Sequence, residues 1–186
     1  SAHKMLGPTG VGVLYGKLPV LESMSPFMYG GDMIDRVWDS HATWAPVPEK
    51  FEPGTPNIAG VLGFSAAIDY LESIGMDAIG THEAELLAYA LEKAAGSSGM
   101  TVYGPRDRSR QGGILSFNID GIHSHDIGTI LDAQAVAVRT GFHCAMPYMD
   151  LLGIHGTVRA SFYCYTSKTD IDRLFEGIAQ ARALFG

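Results

Sequence analysis

Hydrophobic residues recur at the three- and four-residue spacing of an amphipathic helix in three segments of the chain. The first predicted helix follows Thr55, which we assign as its N-cap, and runs as far as Gly75. The second spans about Thr81 to Ala95 and stops at a glycine, and the third begins at about Thr169.

Shorter apolar stretches predict β-strands at residues 11–15, 101–103, 114–119, 136–138 and 158–163. In the last of these, alternation sends Val158, Ala160 and Phe162 to one face of the strand. A fourth helix starts at Ser124, whereas six prolines between residues 18 and 56 exclude a long element there. Because strands and helices do not alternate strictly, we predict an α+β domain with helices on one face of a small, mostly antiparallel sheet.

The composition is that of a globular protein, with 46% hydrophobic and 18% charged residues among 186. The net charge of −7 argues against a nucleic-acid partner, and the one basic run, Arg106 to Arg110, is short. No apolar run is as long as a membrane span, no signal peptide opens the chain, and two cysteines do not make a disulfide framework. We therefore expect a cytoplasmic protein that binds no membrane, no nucleic acid and no metal ion.

Lys4 lies in a polar segment, Ser1 to Lys4, that leads into the glycine-rich turn Gly7 to Gly10. A lysine that reacts with a carbonyl group must be held in its neutral form, and glycine lets backbone approach a bound group closely. The alternative is a surface lysine before a turn, since most lysines are exposed.

Thr55 lies in the segment Phe51 to Asn57, at the predicted start of the first helix. Free backbone N–H groups and the helix dipole make such a position suitable for a phosphate. The alternative is an ordinary helix cap.

Cys144 follows a predicted strand, in a loop bounded by a glycine and a proline. The nearby His143 and Arg139 can stabilise the thiolate, which is the nucleophilic form of cysteine. The alternative is a buried cysteine that packs as a small hydrophobic residue. We assign that structural role to Cys164, which has aromatic neighbours.

Arg159 shares a predicted strand face with Ser161 and Tyr163. Its planar guanidinium matches a carboxylate, so it can bind the carboxylate of an amino-acid substrate. The alternative is an arginine that pairs with Asp or Glu at the sheet surface.

In this order, the motifs resemble those of the group II (SufS-like) cysteine desulfurases and selenocysteine lyases of the class V aminotransferase family. The matching segments are residues 1–4, 7–12, 51–57, 139–147 and 158–161. The resemblance covers the whole chain and is most specific around Cys144, since the nucleophile loop of the IscS-like group is longer. Where many relatives have a second histidine, this chain has Phe142.

The resemblance implies an α/β, fold-type-I transferase that uses pyridoxal 5'-phosphate. It implies that Lys4 binds the cofactor covalently, with His3 and Ser1 beside it and Ser1 at its phosphate. Thr55 would reach the phosphate of the cofactor in the other subunit of a homodimer.

For the substrate, the resemblance implies conversion of L-cysteine to L-alanine with a persulfide on Cys144. Arg159 would hold the substrate carboxylate, and Arg139 would help position the substrate or the persulfide. A SufE- or SufU-like acceptor protein would then receive the sulfur for iron–sulfur cluster assembly.

The resemblance further implies two domains. Residues 1–75 would be the end of the large cofactor domain with its connecting helix, and residues 76–186 the small α+β C-terminal domain. In this family the residue that stacks on the cofactor ring and the acid that pairs with its nitrogen lie upstream of the lysine, so we expect a C-terminal portion that does not turn over cysteine alone. The alternatives are a non-catalytic fragment and a selenocysteine lyase.

Overall fold

Two units make up the chain in the computed structural model, one of residues 1–74 and one of residues 75–186. The structure describes residues 1–105 and 110–185, so most of the basic run Arg106 to Arg110 lies outside the described residues. No single helix in the described part of the chain is long and apolar enough to cross a membrane.

The first unit consists of short elements followed by one long helix. The short elements are a 3₁₀ turn (Ala2–Lys4), α1 (Leu18–Ser23), β1 (Ile34–Val37), β2 (Ala42–Trp44) and a second 3₁₀ turn (Glu49–Phe51). The long helix is α2 (Ile58–Ile74), and β1 pairs with β2 in an antiparallel hairpin. As the prolines predict, residues 18–56 contain short elements only.

Two predictions for the first unit are wrong. The strand predicted at residues 11–15 is irregular backbone, because Val13, Leu14 and Tyr15 are largely exposed and lie in no sheet. The N-cap of α2 is Asn57 instead of Thr55, since Asn57 Oδ1 accepts a hydrogen bond from the Gly60 N–H at 2.9 Å.

The second unit contains four strands and four helices among its described residues. They are α3 (Met76–Ala95), β3 (Met100–Tyr103), β4 (Ile114–Ile119), α4 (Ser124–Ala133), β5 (Arg139–Gly141), α5 (Met146–Leu152), β6 (Thr157–Ser161) and α6 (Lys168–Phe185). The strands form one antiparallel sheet in the order β3-β4-β6-β5.

Helices α3, α4 and α6 cover one face of this sheet. The core contains Phe117 and Val158 from the strands, Ile127 from α4 and Ile178 from α6, all almost completely buried. The alternation predicted for β6 is confirmed, because Val158, Ala160 and Phe162 are buried while the residues between them are not. The predicted α+β arrangement is therefore confirmed, and the uncovered face carries the polar residues of β4 and β6.

Two predicted boundaries in the second unit differ from the structure. Helix α3 starts at Met76 and not at Thr81, because Gly75, its N-cap, has a φ of 93°, a backbone conformation that glycine adopts without steric cost. The strand predicted at 136–138 occurs three residues later, as β5. The Val136 N–H is used by Leu131 O at the end of α4, so pairing with β6 begins only at Arg139.

Candidate active site

Cys144 lies in a tight loop between β5 and α5. Gly141 ends β5, and His143 and Cys144 both have left-handed backbone conformations, with φ of 53° and 60°. This region costs a non-glycine residue about 1–2 kcal/mol, so it persists only where the surroundings hold it. The Ala145 N–H closes the turn by donating to Phe142 O at 2.9 Å. The candidate nucleophile therefore occupies a strained, well-defined turn.

The Cys144 thiol is exposed and has a cationic neighbour. Arg139 Nη2 donates to Cys144 Sγ at 3.3 Å. A guanidinium at this distance stabilises negative charge on sulfur. Cys164 is half-buried instead of fully packed. Cys144 is therefore the more accessible of the two cysteines, as predicted, but the difference in exposure is smaller than predicted.

Arg139 and Arg159 are direct cross-strand partners on β5 and β6. Like charges in this position repel each other. Arg159 Nε is buried without a hydrogen-bond partner, and no carboxylate within residues 1–105 and 110–185 forms an ion pair with either arginine. The pair is therefore suited to an anion from outside the described chain, such as a carboxylate.

His143 points to β6 and not to the thiol. Its Nε2 lies 3.1 Å from Thr157 O and 2.8 Å from Thr157 Oγ1. Because a carbonyl oxygen only accepts hydrogen bonds, Nε2 carries the proton and donates it.

The surroundings of His143 favour its uncharged form. Burial lowers the pKa of His143, and the charges of Arg159 and Arg139 lower it further, against the hydrogen bond to Thr157, which raises it. The imidazole is therefore neutral near pH 7. Of the two residues predicted to stabilise the Cys144 thiolate, Arg139 contacts the sulfur in the described chain, and His143 bonds to Thr157 instead.

Lys4 is exposed but its backbone is held by a buried neighbour. Ala2 is fully buried against α2, and its N–H donates to Val11 O at 3.0 Å. The Gly7 N–H donates to Ala2 O at 2.9 Å, and a Cβ at Gly7 would lie only 2.8 Å from the Ala2 Cβ. The turn after Lys4 therefore requires glycine at position 7, and it fixes the backbone from which the Lys4 side chain extends.

Ser1, His3 and Thr55 are exposed in the same unit as Lys4. His3 belongs to the 3₁₀ turn that contains Lys4, and Ser1 is the N-cap of that turn. A hydrogen bond joins the loop that contains Thr55 to the glycine-rich turn after Lys4, because Asn57 Nδ2 donates to Gly10 O at 3.4 Å. The two predicted cofactor-binding segments are thus neighbours at the start of α2.

Sequence reasoning missed the polar residues that line the uncovered sheet face. Thr157 is buried and holds His143, and Asn118 Nδ2 donates to Gly156 O at 2.9 Å. Thr157 lies two residues before Arg159, so the same strand alternation places both on one face. The alternation along this strand was therefore the signal in the sequence that could have identified Thr157 as a site residue.

Comparisons with known proteins show the family of this chain. The model of the aminotransferase class-V family matches residues 1–174. A probable cysteine desulfurase of Halalkalibacterium halodurans is 53% identical over 186 residues, which are 100% of this chain and 45% of that protein. The chain therefore spans a little under half the length of the curated relatives it matches.

Solved structures of cysteine desulfurases share the fold. The cysteine desulfurase CsdA of Escherichia coli, in an S-sulfonic acid form, superposes with a TM-score of 0.91 at 38% identity over 100% of this chain and 46% of that one. The apo cysteine desulfurase of Thermococcus onnurineus gives 0.90 at 39% identity, over 98% and 46%. These matches confirm the fold-type-I prediction, and the chain belongs to the aminotransferase class-V family.

Proposed function

We propose that this chain is the C-terminal portion of a SufS-type cysteine desulfurase, in which L-cysteine becomes L-alanine and Cys144 receives the sulfur as a persulfide. One observation carries the proposal. Cys144 Sγ accepts a hydrogen bond from Arg139, which stands opposite Arg159 without a carboxylate partner in the described chain. A nucleophile thus lies beside two groups that bind a carboxylate.

The residues of the second unit would divide the work as follows. Arg159, supported by Arg139, binds the substrate carboxylate through charge-assisted hydrogen bonds. Cys144 Sγ forms a bond to the substrate sulfur as the substrate carbon–sulfur bond breaks. The substrate carbon keeps the electron pair of the broken bond and takes up a proton, so L-alanine leaves and the persulfide stays on Cys144. Arg139 stabilises negative charge on the sulfur of Cys144 before the transfer.

The first unit would hold pyridoxal 5'-phosphate. Its residues fit this group, because an exposed Lys4 on a fixed backbone offers an amine next to Ser1 and His3. Thr55, exposed just before α2, would contact the phosphate of a cofactor held by the partner subunit of a homodimer. When bound, the cofactor acts as the electron sink for the bonds to the substrate carbon.

The names of the relatives support cysteine as the substrate, since both the Halalkalibacterium and the Escherichia coli proteins are named as cysteine desulfurases. We further propose that residues 1–75 complete a large cofactor domain and that residues 76–186 form the small domain. A SufE- or SufU-like acceptor would take the sulfur toward iron–sulfur cluster assembly. The two free cysteines fit a reducing, cytoplasmic location. Because the relatives are about twice as long, we infer that these 186 residues alone do not turn over cysteine.

The test uses the full-length protein that contains this chain, loaded with pyridoxal phosphate and given L-cysteine. We expect alanine in solution and one extra sulfur atom on the peptide that carries Cys144. Cys144→Ser should keep the bound cofactor and lose the added sulfur, since a hydroxyl is a weak nucleophile at neutral pH. Sulfur release from the variant at the native rate would overturn the proposal. A strong preference for selenocysteine over cysteine would identify a selenocysteine lyase instead.

A further inference from the structure

His143 and Cys144 are two consecutive non-glycine residues with positive φ, and such a pair is strained in any loop. Histidine enters this backbone region more readily than most residues, but cysteine does not. Something must therefore hold the pair in place. Two side chains of this turn bond to strands among the described residues. Cys144 Sγ accepts from Arg139 of β5, and the imidazole of His143 bonds to Thr157 of β6.

Thr157 is a rigid anchor for this bond. It is almost completely buried, and β6 pairs with β5 there, with Gly141 directly opposite. The strands are close, because a Cβ on Gly156 would lie 2.9 Å from the backbone of Gly141. An imidazole fixed to Thr157 is therefore fixed relative to β5, which also carries Arg139.

We propose that His143 is a positioning residue whose bond to Thr157 holds the left-handed turn and so keeps Cys144 Sγ against Arg139. The inference deepens the proposed function, on which its relevance to sulfur transfer rests. It assigns no proton transfer to His143.

The other ring nitrogen fits this role. His143 Nδ1 is buried and has no hydrogen-bond partner in the described part of the chain. Nε2 donates to a carbonyl, so Nδ1 is the unprotonated atom. Arg159 and Arg139 are the charges that act on the ring, and both oppose a proton there. The bond to Thr157 is thus made by the neutral imidazole.

The test measures the reactivity of Cys144 in the 186-residue chain without cofactor. Brief alkylation with iodoacetamide, followed by peptide mass spectrometry, gives the labelling rate of Cys144 relative to Cys164. We expect His143→Asn to lower this ratio about fivefold to tenfold, the equivalent of one hydrogen bond. Asparagine tolerates the left-handed conformation, so the substitution removes the reach to Thr157 without adding backbone strain.

Two further variants separate the bond from general damage. His143→Gln should restore at least part of the rate, because its longer side chain can bring an amide N–H to the Thr157 carbonyl. His155→Asn is the matched control, since His155 is exposed on the loop before β6, and it should leave the ratio unchanged. Circular dichroism and an unchanged Cys164 rate would show that each variant is folded.

A double-mutant cycle gives the decisive readout. If His143 acts by holding the thiol against Arg139, Arg139→Leu should slow labelling strongly in the native chain and little in the His143→Asn chain. Fully additive effects would overturn the proposal, as would native reactivity of folded His143→Asn. Labelling requires neither cofactor nor substrate, so a failed desulfurase assay in the full-length protein leaves this result standing, and the reverse also holds.

Discussion

Arg139 and Arg159 stand directly opposite each other on β5 and β6, and neither forms an ion pair with a carboxylate of the described chain. Cross-strand neighbours of like charge destabilise a sheet unless an anion joins them. Because Arg139 also donates to Cys144 Sγ, the place for that anion adjoins the thiol. The substrate carboxylate would therefore lie beside the sulfur acceptor.

The first prediction concerns this anion. In the full-length protein, Arg159→Gln should raise KM for cysteine about 10- to 100-fold, the usual loss for a hydrogen bond to a charged group. Steady-state alanine production measures it. Arg110→Gln, at an exposed arginine of the same unit, serves as the control and should leave KM unchanged. An unaltered KM in the Arg159 variant would contradict the role of Arg159.

The second prediction concerns Lys4. Full-length Lys4→Ala should lose the visible absorbance of covalently bound pyridoxal phosphate, because the amine that holds the cofactor is gone. An absorbance spectrum after desalting measures this directly. Lys17→Ala, which removes another exposed lysine of the first unit, should keep the native spectrum. Native colour in the Lys4 variant would show that a different amine holds the cofactor.

The third prediction concerns pH. His143 has a pKa below its ordinary value of 6.5, mainly through burial and then through Arg159. The imidazole of His143 therefore binds a proton more tightly in the unfolded chain than in the folded chain. Acid therefore lowers the free energy of unfolding through His143. This reduction reaches its full size below the pKa of the folded state and disappears as the pH rises past 6.5.

Urea unfolding at a series of pH values measures this effect. Native stability should fall from pH 6.5 downward more steeply than that of His143→Gln, which has no such proton to bind. Above pH 6.5, the difference in the free energy of unfolding between the two proteins should stay constant. Parallel curves over the whole range would show that His143 is not held in its neutral form.

The fourth prediction distinguishes two residues before α2. Asn57→Ala should speed hydrogen exchange of the Gly60 amide about fivefold, because a side-chain cap contributes about 1 kcal/mol. Thr55→Ala should leave that rate unchanged, since Thr55 lies two residues before the cap. Amide exchange by NMR resolves this single proton. A larger effect from Thr55 would restore it as the N-cap.

The fifth prediction concerns the core of the second unit. Phe117 is fully buried between the sheet and its helices, so Phe117→Ala should lower the free energy of unfolding by about 3–5 kcal/mol. Leu151→Ala, at a residue that is 79% exposed, should change it by no more than about 0.5 kcal/mol. Urea unfolding of both variants compares them. Similar values would place Phe117 outside the core.

Much of the second unit could be predicted from local patterns. The limits of β4 and the buried faces of β6 and α6 follow from alternation and helical spacing, because these depend only on which neighbours along the chain are apolar. The motif around Cys144 likewise led to the family, which the match over residues 1–174 confirms. Errors at the ends of elements occur where a cap or a pairing partner decides, as at Asn57 and Val136. The strand predicted at residues 11–15 is wrong as a whole, because an apolar stretch forms a strand only where another strand pairs with it.

The sequence alone thus determined the apolar faces and the family, and it supplied the candidate residues for the chemistry. Only the tertiary structure decided how those residues act on one another. It set Arg139 opposite Arg159, turned His143 toward Thr157 and left Arg139 to contact the thiol. These relationships depend on strand register and on a left-handed turn between β5 and α5. Both arise from contacts between segments distant in the chain, so no local periodicity encodes them.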